Sequence, residues 1–307
     1  MIFERIKANW ISIFILSLIL ILLLFPILAT NAAREGLEIW LFNVFPSLLP
    51  FMIIANLLRK FSINFFSKIF SPVMRIFNLP KSAGAAFALS FFSGYPIGAK
   101  IISEMHIEGH IDKKSAQNAI GFMNNAGPLF ILGAISTMLN SINIAYFLLF
   151  INFLSALILG FFLGIFNKNN NIIKKNSNIN IKNKPFYEEF IDSAINAMQS
   201  MMLIGAFIII FSILSAIFSK IVLIDGLSYA ILSSIIEITK GAYILSQMQI
   251  SRLIISIMAA IIAFGGLSIL FQSSIFIKNA NLDIKIYMIH KILHAIIAFA
   301  LAWIFYN

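Results

Sequence analysis

Residues 90–100 read Ser-Phe-Phe-Ser-Gly-Tyr-Pro-Ile-Gly-Ala-Lys and stand inside an apolar stretch, residues 81–105, with basic flanks on both sides: Arg75 and Lys81 before it, Lys113 and Lys114 after it. Lys and Arg beside a membrane segment favour the cytoplasmic face. A straight crossing would put one flank outside, so the stretch is expected to enter and leave on the same side. Gly94 and Pro96 end helices. The pieces they leave, near 82–92 and 97–106, are too short to cross a hydrocarbon core that takes about 20 residues. The reading is a re-entrant hairpin with Ser93-Gly94-Tyr95-Pro96 at its tip.

Three more interruptions follow. Asn124-Asn125-Ala126-Gly127-Pro128 breaks a span expected at about 114–138. In the second half, Glu237-Ile238-Thr239-Lys240-Gly241 forms the tip of a second hairpin over 227–249. Gly265-Gly266-Leu267-Ser268, followed by Gln272, breaks a span at about 251–277. Irregular backbone at membrane depth is tolerated where it lines a cavity, and interruptions at matching places in two halves point to a transporter's binding site.

The composition agrees with a membrane protein: 60% of residues are hydrophobic and 11% charged, against about 25% charged in soluble domains. The expected crossings are 11–29, 36–58, 114–138, 142–166, 190–219, 251–277 and 284–306. The first is expected to be retained, since no small-residue cleavage pattern follows it. An odd number of crossings separates residue 36 from residue 190, which turns the second unit over. The predicted fold is therefore an all-α polytopic membrane protein of about seven transmembrane helices and two re-entrant hairpins, with an inverted-repeat, transporter-like architecture. Its parts are an N-terminal transmembrane helix (1–35), a first repeat (36–166), a basic cytoplasmic linker (167–186) and a second, inverted repeat (187–307). The segment 61–79, with Phe65, Phe66, Ile69, Phe70 and Phe77 among Lys68 and Arg75, reads as a separate amphipathic helix on the cytoplasmic interface.

The absence of cysteine excludes disulfides and thiol chemistry. The net charge of +10 is spread over short inter-span segments, as topology requires, and not over a basic domain, so no nucleic-acid partner is expected. His290 and His294 lie one helical turn apart, but no acidic third ligand is near in sequence, and interhelical packing is the simpler reading. No nucleophile motif, phosphate loop or carboxylate pair stands out, so neither an enzyme nor a metal or organic cofactor is expected.

Residues 36–134 closely resemble the sporulation integral membrane protein YlbJ family, which groups with the nucleoside-recognition or gate-domain membrane proteins. The matching strings are Gly36-Leu37-Glu38-Ile39-Trp40, Phe45-Pro46-Ser47-Leu48-Leu49-Pro50-Phe51, Ser93 to Lys100, and Asn124 to Phe130. Glu237 to Gly241 and Gly265 to Ser268 with Gln272 look like the family's later motifs. Met123 stands where the family often has Cys. The resemblance implies a protein of the outer forespore membrane, facing the mother cell of an endospore former, that delivers dipicolinic acid to the spore.

Dipicolinate is a flat aromatic dianion. Binding it calls for positive potential, carboxylate-binding donors and a ring face. The amides that open a half-helix lack intrahelical partners and carry the positive end of the helix dipole; residues 96–98 and 127–130 open two such half-helices. Lys100 and Lys240 fall within the hairpins, where an unpaired ammonium is costly. The alternatives are that Lys100 reaches the interface beside Glu104 and that Lys240 pairs with Glu237. Glu237 is a candidate for a coupling ion or proton. Ser93, Gly94, Tyr95, Asn124, Asn125, Gly127, Thr239, Gly265, Gly266, Ser268 and Gln272 complete the candidate substrate-binding set, although the polar ones could instead join helices by hydrogen bonds. Transport of a nucleoside or related metabolite, and a non-transporting scaffold or sensor in spore formation, remain open. The expected partners are the small organic anion, the lipid bilayer and a coupling ion, and self-association into a homo-oligomer is compatible with this reading.

Overall fold

The structure, a computed structural model, describes residues 22–165, 185–222 and 224–306, together with residues 12, 16, 19 and 20. Much of the first expected crossing, 11–29, and the linker up to residue 184 lie outside the described residues.

The described chain is helical, without strands. Helix α1 (Pro26–Glu38) passes through a π-helical turn, Ile39–Val44, into α2 (Phe45–Ile76). The pair bends by 55° between Val44 and Leu48, where Pro46 removes a backbone donor and crowds the preceding turn. The first half continues with α3 (Ala83–Ser93), α4 (Ile97–Ile107), α5 (Lys113–Met123), α6 (Phe130–Leu139, opening with a π-helical stretch) and α7 (Ile142–Ile165). The second half holds α8 (Phe186–Val222), α9 (Gly226–Ile236), α10 (Ile238–Ser246), α11 (Arg252–Phe264), α12 (Gly266–Asn279) and α13 (Ile284–Phe305).

The order of elements repeats. Each half runs long helix, two short helices, interrupted helix, unbroken helix. Both short pairs fold back on themselves. Residues seven or eight apart along a straight helix are separated by more than about 10 Å. Yet a Cβ built on Gly98 would meet that of Ser90 at 3.1 Å, and one on Gly241 would fall on Ser234. Glycine at 98 and 241 is what lets the two arms close.

The predicted amphipathic helix at 61–79 is not a separate element. It continues from the preceding segment as the 32-residue α2, through Pro50 and Pro72. Its later turns pack on α3 and close a buried cluster of Met74, Phe77, Phe87, Ile102 and Phe122. Tertiary packing carries the helix through a boundary that sequence punctuation suggested.

Among the described residues, four helices or helix pairs are long and apolar enough to cross a membrane: α7, α8, α11 with α12, and α13; the bent α1–α2 pair makes a fifth. These apolar helices make the chain an integral membrane protein. The stretch expected to cross at 114–138 consists of two short pieces, α5 and α6, neither of which qualifies alone.

Candidate functional site

The first hairpin tip lies directly on the first broken helix. Gly94 has φ +72°, and a Cβ there would meet Gly127 N at 2.5 Å. Tyr95 N donates to Asn125 O at 2.7 Å. Only glycine on both sides allows backbone to approach backbone this closely. The second half repeats the contact: a Cβ on Gly266, the first residue after the break at Gly265, would meet Ser234 O at 3.1 Å and Ile238 N at 3.2 Å, at the second hairpin tip. The second tip is tighter than expected. Glu237 alone breaks the helix, and Ile238 to Gly241 already belong to α10.

Side chains from the breaks cap the half-helices. Asn124 Oδ1 accepts from Ala99 N in the first turn of α4 at 3.1 Å, while its Nδ2 donates to Ser273 Oγ at 3.1 Å and Tyr287 OH at 2.7 Å. Glu237 is the N-cap of α10; its Oε2 accepts from Lys240 N at 2.7 Å. Both satisfy amides that the helix itself leaves unpaired.

The interruptions meet at one cavity, enclosing about 650 Å³ of space including its mouth. Ser93, Gly94, Tyr95 and Ile97 come from the first tip, Gly127, Leu129 and Phe130 from the first break, Glu237, Ile238 and Thr239 from the second tip, and Ile269 and Gln272 from α12. Val44, Leu48 and Met52 of the bent helix and Ile204 and Ile208 of α8 supply an apolar wall. First-turn residues of three helices, those starting at Ile97, at Pro128 and at Ile238, line or border this space, and side chains of Asn124 and Glu237 already meet an amide at the first and third. The Tyr95 hydroxyl and the Gln272 side-chain carbonyl are buried without a hydrogen-bond partner. Such groups are costly unless a ligand or water meets them.

Ser93, Gly94, Tyr95, Gly127, Glu237, Thr239 and Gln272 of the expected set therefore share one chamber. The remaining candidates stand behind it. Asn124 and Asn125 are fully buried, and Asn125 Nδ2 donates to Phe122 O. Gly265 and Gly266 form the break against the second tip, and Ser268 is buried in the first turn of α12. Lys100 and Lys240 are not among the lining residues. Lys100 is part-exposed and lies 3.9 Å from Glu104. Lys240 is fully buried, with Nζ 3.0 Å from Glu35 Oε2 and 3.5 Å from Ser212 O. Its acidic partner is on α1, and Glu237 holds its backbone instead. Among the described residues, no three side chains cluster in a way that could hold a metal ion.

Sequence reasoning passed over Lys291. It is 1% exposed, about two turns into α13, and bonded to Asn124 O at 3.0 Å. A lysine inside an apolar span, between His290 and His294, was the available signal. The string Gly36 to Trp40 proves to be a packing motif: Gly36 lies against Ser212, and Trp40 covers Gly205 and donates from Nε1 to Met201 O at 3.1 Å.

The sequence model of the Gate family, described as nucleoside recognition, matches residues 41–168, from the bent helix through α7. The chain is also similar to the sporulation integral membrane protein YlbJ of Bacillus subtilis (strain 168), with 27% identity over 333 aligned residues, covering 96% of this chain and 82% of that protein. The resemblance drawn from the motifs thus extends along almost the whole sequence. No solved structure matches it significantly.

Proposed function

We propose that this protein is a transporter or facilitator that moves a small organic anion across a bacterial membrane during sporulation, with dipicolinate as the cargo and the cavity between the hairpin tips as its binding site. The outer forespore membrane is its place in this reading. The observation that carries it is the convergence of both hairpin tips on one chamber with the N-termini of the helices starting at Ile97 and Pro128, whose dipoles favour an anion without a basic side chain, while the Glu237 carboxylate offsets the third N-terminus at Ile238. Tyr95 and Phe130 offer ring faces, while Thr239 and the Tyr95 hydroxyl offer donors to carboxylates. The similarity to a sporulation membrane protein supplies the setting.

The repeated order of elements and the matching contact of each hairpin tip with a glycine of the next break support an inverted duplication. In it both hairpins are re-entrant and seven segments cross. Solute would pass as the two hairpins open by turns.

A second reading has an observation of its own. Glu237 lines the cavity and no Lys or Arg does, which favours a neutral, donor-bearing solute such as a nucleoside, in keeping with the description of the Gate family. Calorimetric titration of the purified protein with dipicolinate and with uridine separates the two. Dipicolinate binding that weakens in Gln272→Ala supports the first, uridine binding alone supports the second, and binding of neither overturns the placement of the site.

A further inference from the structure

Behind the chamber lies a second polar cluster, built around Lys291. Its Nζ donates to Asn124 O at 3.0 Å, to Asn125 Oδ1 at 3.4 Å and to His294 Nδ1 at 3.4 Å. His294 Nε2 lies 3.2 Å from Asn152 O and 2.9 Å from Ser155 Oγ. The Asn152 carbonyl can only accept, which suits a proton on Nε2 and turns Nδ1 to the lysine as an acceptor, while the Ala263 carbonyl also bears on the ring. Asn152 Nδ2 in turn donates to Ala126 O, in the broken segment, at 3.3 Å. All of these side chains are buried, and Lys291 makes no ion pair among the described residues.

An ammonium in this position is held by oxygens of an unwound membrane segment, the ligand set that a monovalent metal cation would take in a broken-helix transporter. It differs from a metal ion in one respect: it can lose its charge by giving up a proton. The uncompensated charge costs several kcal/mol in the bilayer interior. His294 Nδ1 gives the proton a first stop: as the Nζ–H bond breaks an Nδ1–H bond forms, and the charge leaves the cluster only when the imidazolium in turn gives its proton up.

We infer that Lys291 is the proton-binding site that couples solute movement to a proton gradient, standing where a coupling metal cation would otherwise bind. This rests on the transport reading above. The link to the chamber is mechanical. Asn124 and Asn125 hold the lysine, and Asn125 O also accepts from Tyr95 N at 2.7 Å, while Gly94 rests on Gly127; Tyr95, Gly94 and Gly127 all line the cavity. Protonation clamps the broken segment against the first hairpin tip, and deprotonation removes one donor and the charge from that clamp. The titratable groups around Lys291 are His294, in contact, Tyr287, through Asn124, and His290, the preceding residue, packed against Gly121 of α5. The elements packed on α13 otherwise present neutral Asn152, Ser155 and Ser273, while Asp112, Lys113, Lys114, Arg252 and Lys278 stand at helix ends.

The test uses proteoliposomes of the full chain and labelled dipicolinate or uridine, whichever binds, measuring exchange at equilibrium separately from net accumulation. Wild type is expected to accumulate solute about tenfold per unit of inward pH gradient if one proton is carried, and to ignore an inward sodium gradient. Lys291→Gln is expected to keep exchange but lose pH-driven accumulation; should it fail to fold, His294→Gln, which retains the ammonium and removes the acceptor, is expected to do the same. Accumulation driven by sodium in wild type, or pH-driven accumulation unchanged in the folded variants, overturns the assignment of Lys291 and leaves the transport reading standing. Absence of exchange for either solute overturns the transport reading itself, and the coupling with it.

Discussion

Lys240 Nζ lies 3.0 Å from Glu35 Oε2, so a fully buried ammonium at the start of α10 is tied to α1 across 205 positions of sequence. Gly36, the next residue after Glu35, packs against Ser212, whose carbonyl is the lysine's other partner at 3.5 Å. The second hairpin is thus tied to α1 by this ion pair and to α8 by the Lys240–Ser212 and Ser215–Ser233 hydrogen bonds, besides the contact of its tip with Gly266.

Glu35→Gln should therefore destabilise the protein. Breaking a buried pair costs about 3–5 kcal/mol, but the Glu35 side chain is 42% exposed, and solvent screening lowers the expectation to roughly 1–2 kcal/mol. Lys240→Met, which removes the charge needing a partner, should cost less than Glu35→Gln. Thermal unfolding in detergent of both single variants and the double variant checks the order, and a larger loss in Lys240→Met would contradict it.

Gly94→Ala and Gly109→Ala form a controlled pair. Both glycines have positive φ, +72° and +77°, but a Cβ at 94 would meet backbone at 2.5 Å while one at 109 meets nothing within 4 Å. Gly109→Ala should cost only the conformational strain, about 1 kcal/mol. Gly94→Ala must also separate the tip from Gly127, and several kcal/mol is expected. The yield of monodisperse protein and its melting temperature provide the measurement; equal effects would mean that the tip-to-break contact is not tight.

The turn of the first hairpin was legible because Gly94 and Pro96 impose it locally. The breaks at Asn124–Gly127 and Gly265–Gly266 were legible for the same reason, since glycine and proline punctuate irrespective of tertiary context. What depends on distant partners was not. The union of 36–58 with 61–79 into one helix follows from packing of Met74 and Phe77 on the first hairpin. The direction in which a lysine points is likewise decided by the facing helix: Lys240 turns to Glu35, away from the chamber. Lys291 escaped notice because its surroundings read as an ordinary apolar span, and its ligands come from a break some 167 positions earlier.

Asn124 serves as cap and connector together. Asn124→Ala would strip Ala99 N of its acceptor and leave the Ser273 and Tyr287 oxygens without their donor. With three buried bonds lost, about 2–4 kcal/mol is expected. Asn124→Asp keeps the acceptor at the positive end of α4 and lies near the Lys291 ammonium, so it should be the milder change. Denaturation curves of the two variants decide this, and the reverse order would mean that the two donated bonds matter more than the cap.

Glu237 joins structure and selectivity in one carboxylate, and two substitutions separate them. Glu237→Gln preserves an oxygen to accept from Lys240 N, so stability should change by less than about 1 kcal/mol, whereas Glu237→Ala forfeits the cap and should lose about that amount. Their shared effect is loss of the negative charge from the cavity wall. Removing a like charge strengthens binding of an anion, on the order of tenfold at the effective dielectric of a partly open site. For a neutral solute that donates to the carboxylate, removing that charge-assisted acceptor weakens binding instead. The sign of the change in affinity in Glu237→Gln, measured for dipicolinate and uridine side by side, therefore reports which chemistry the chamber is built to hold: tighter dipicolinate binding supports the anion, and weaker uridine binding with no dipicolinate signal supports the neutral solute.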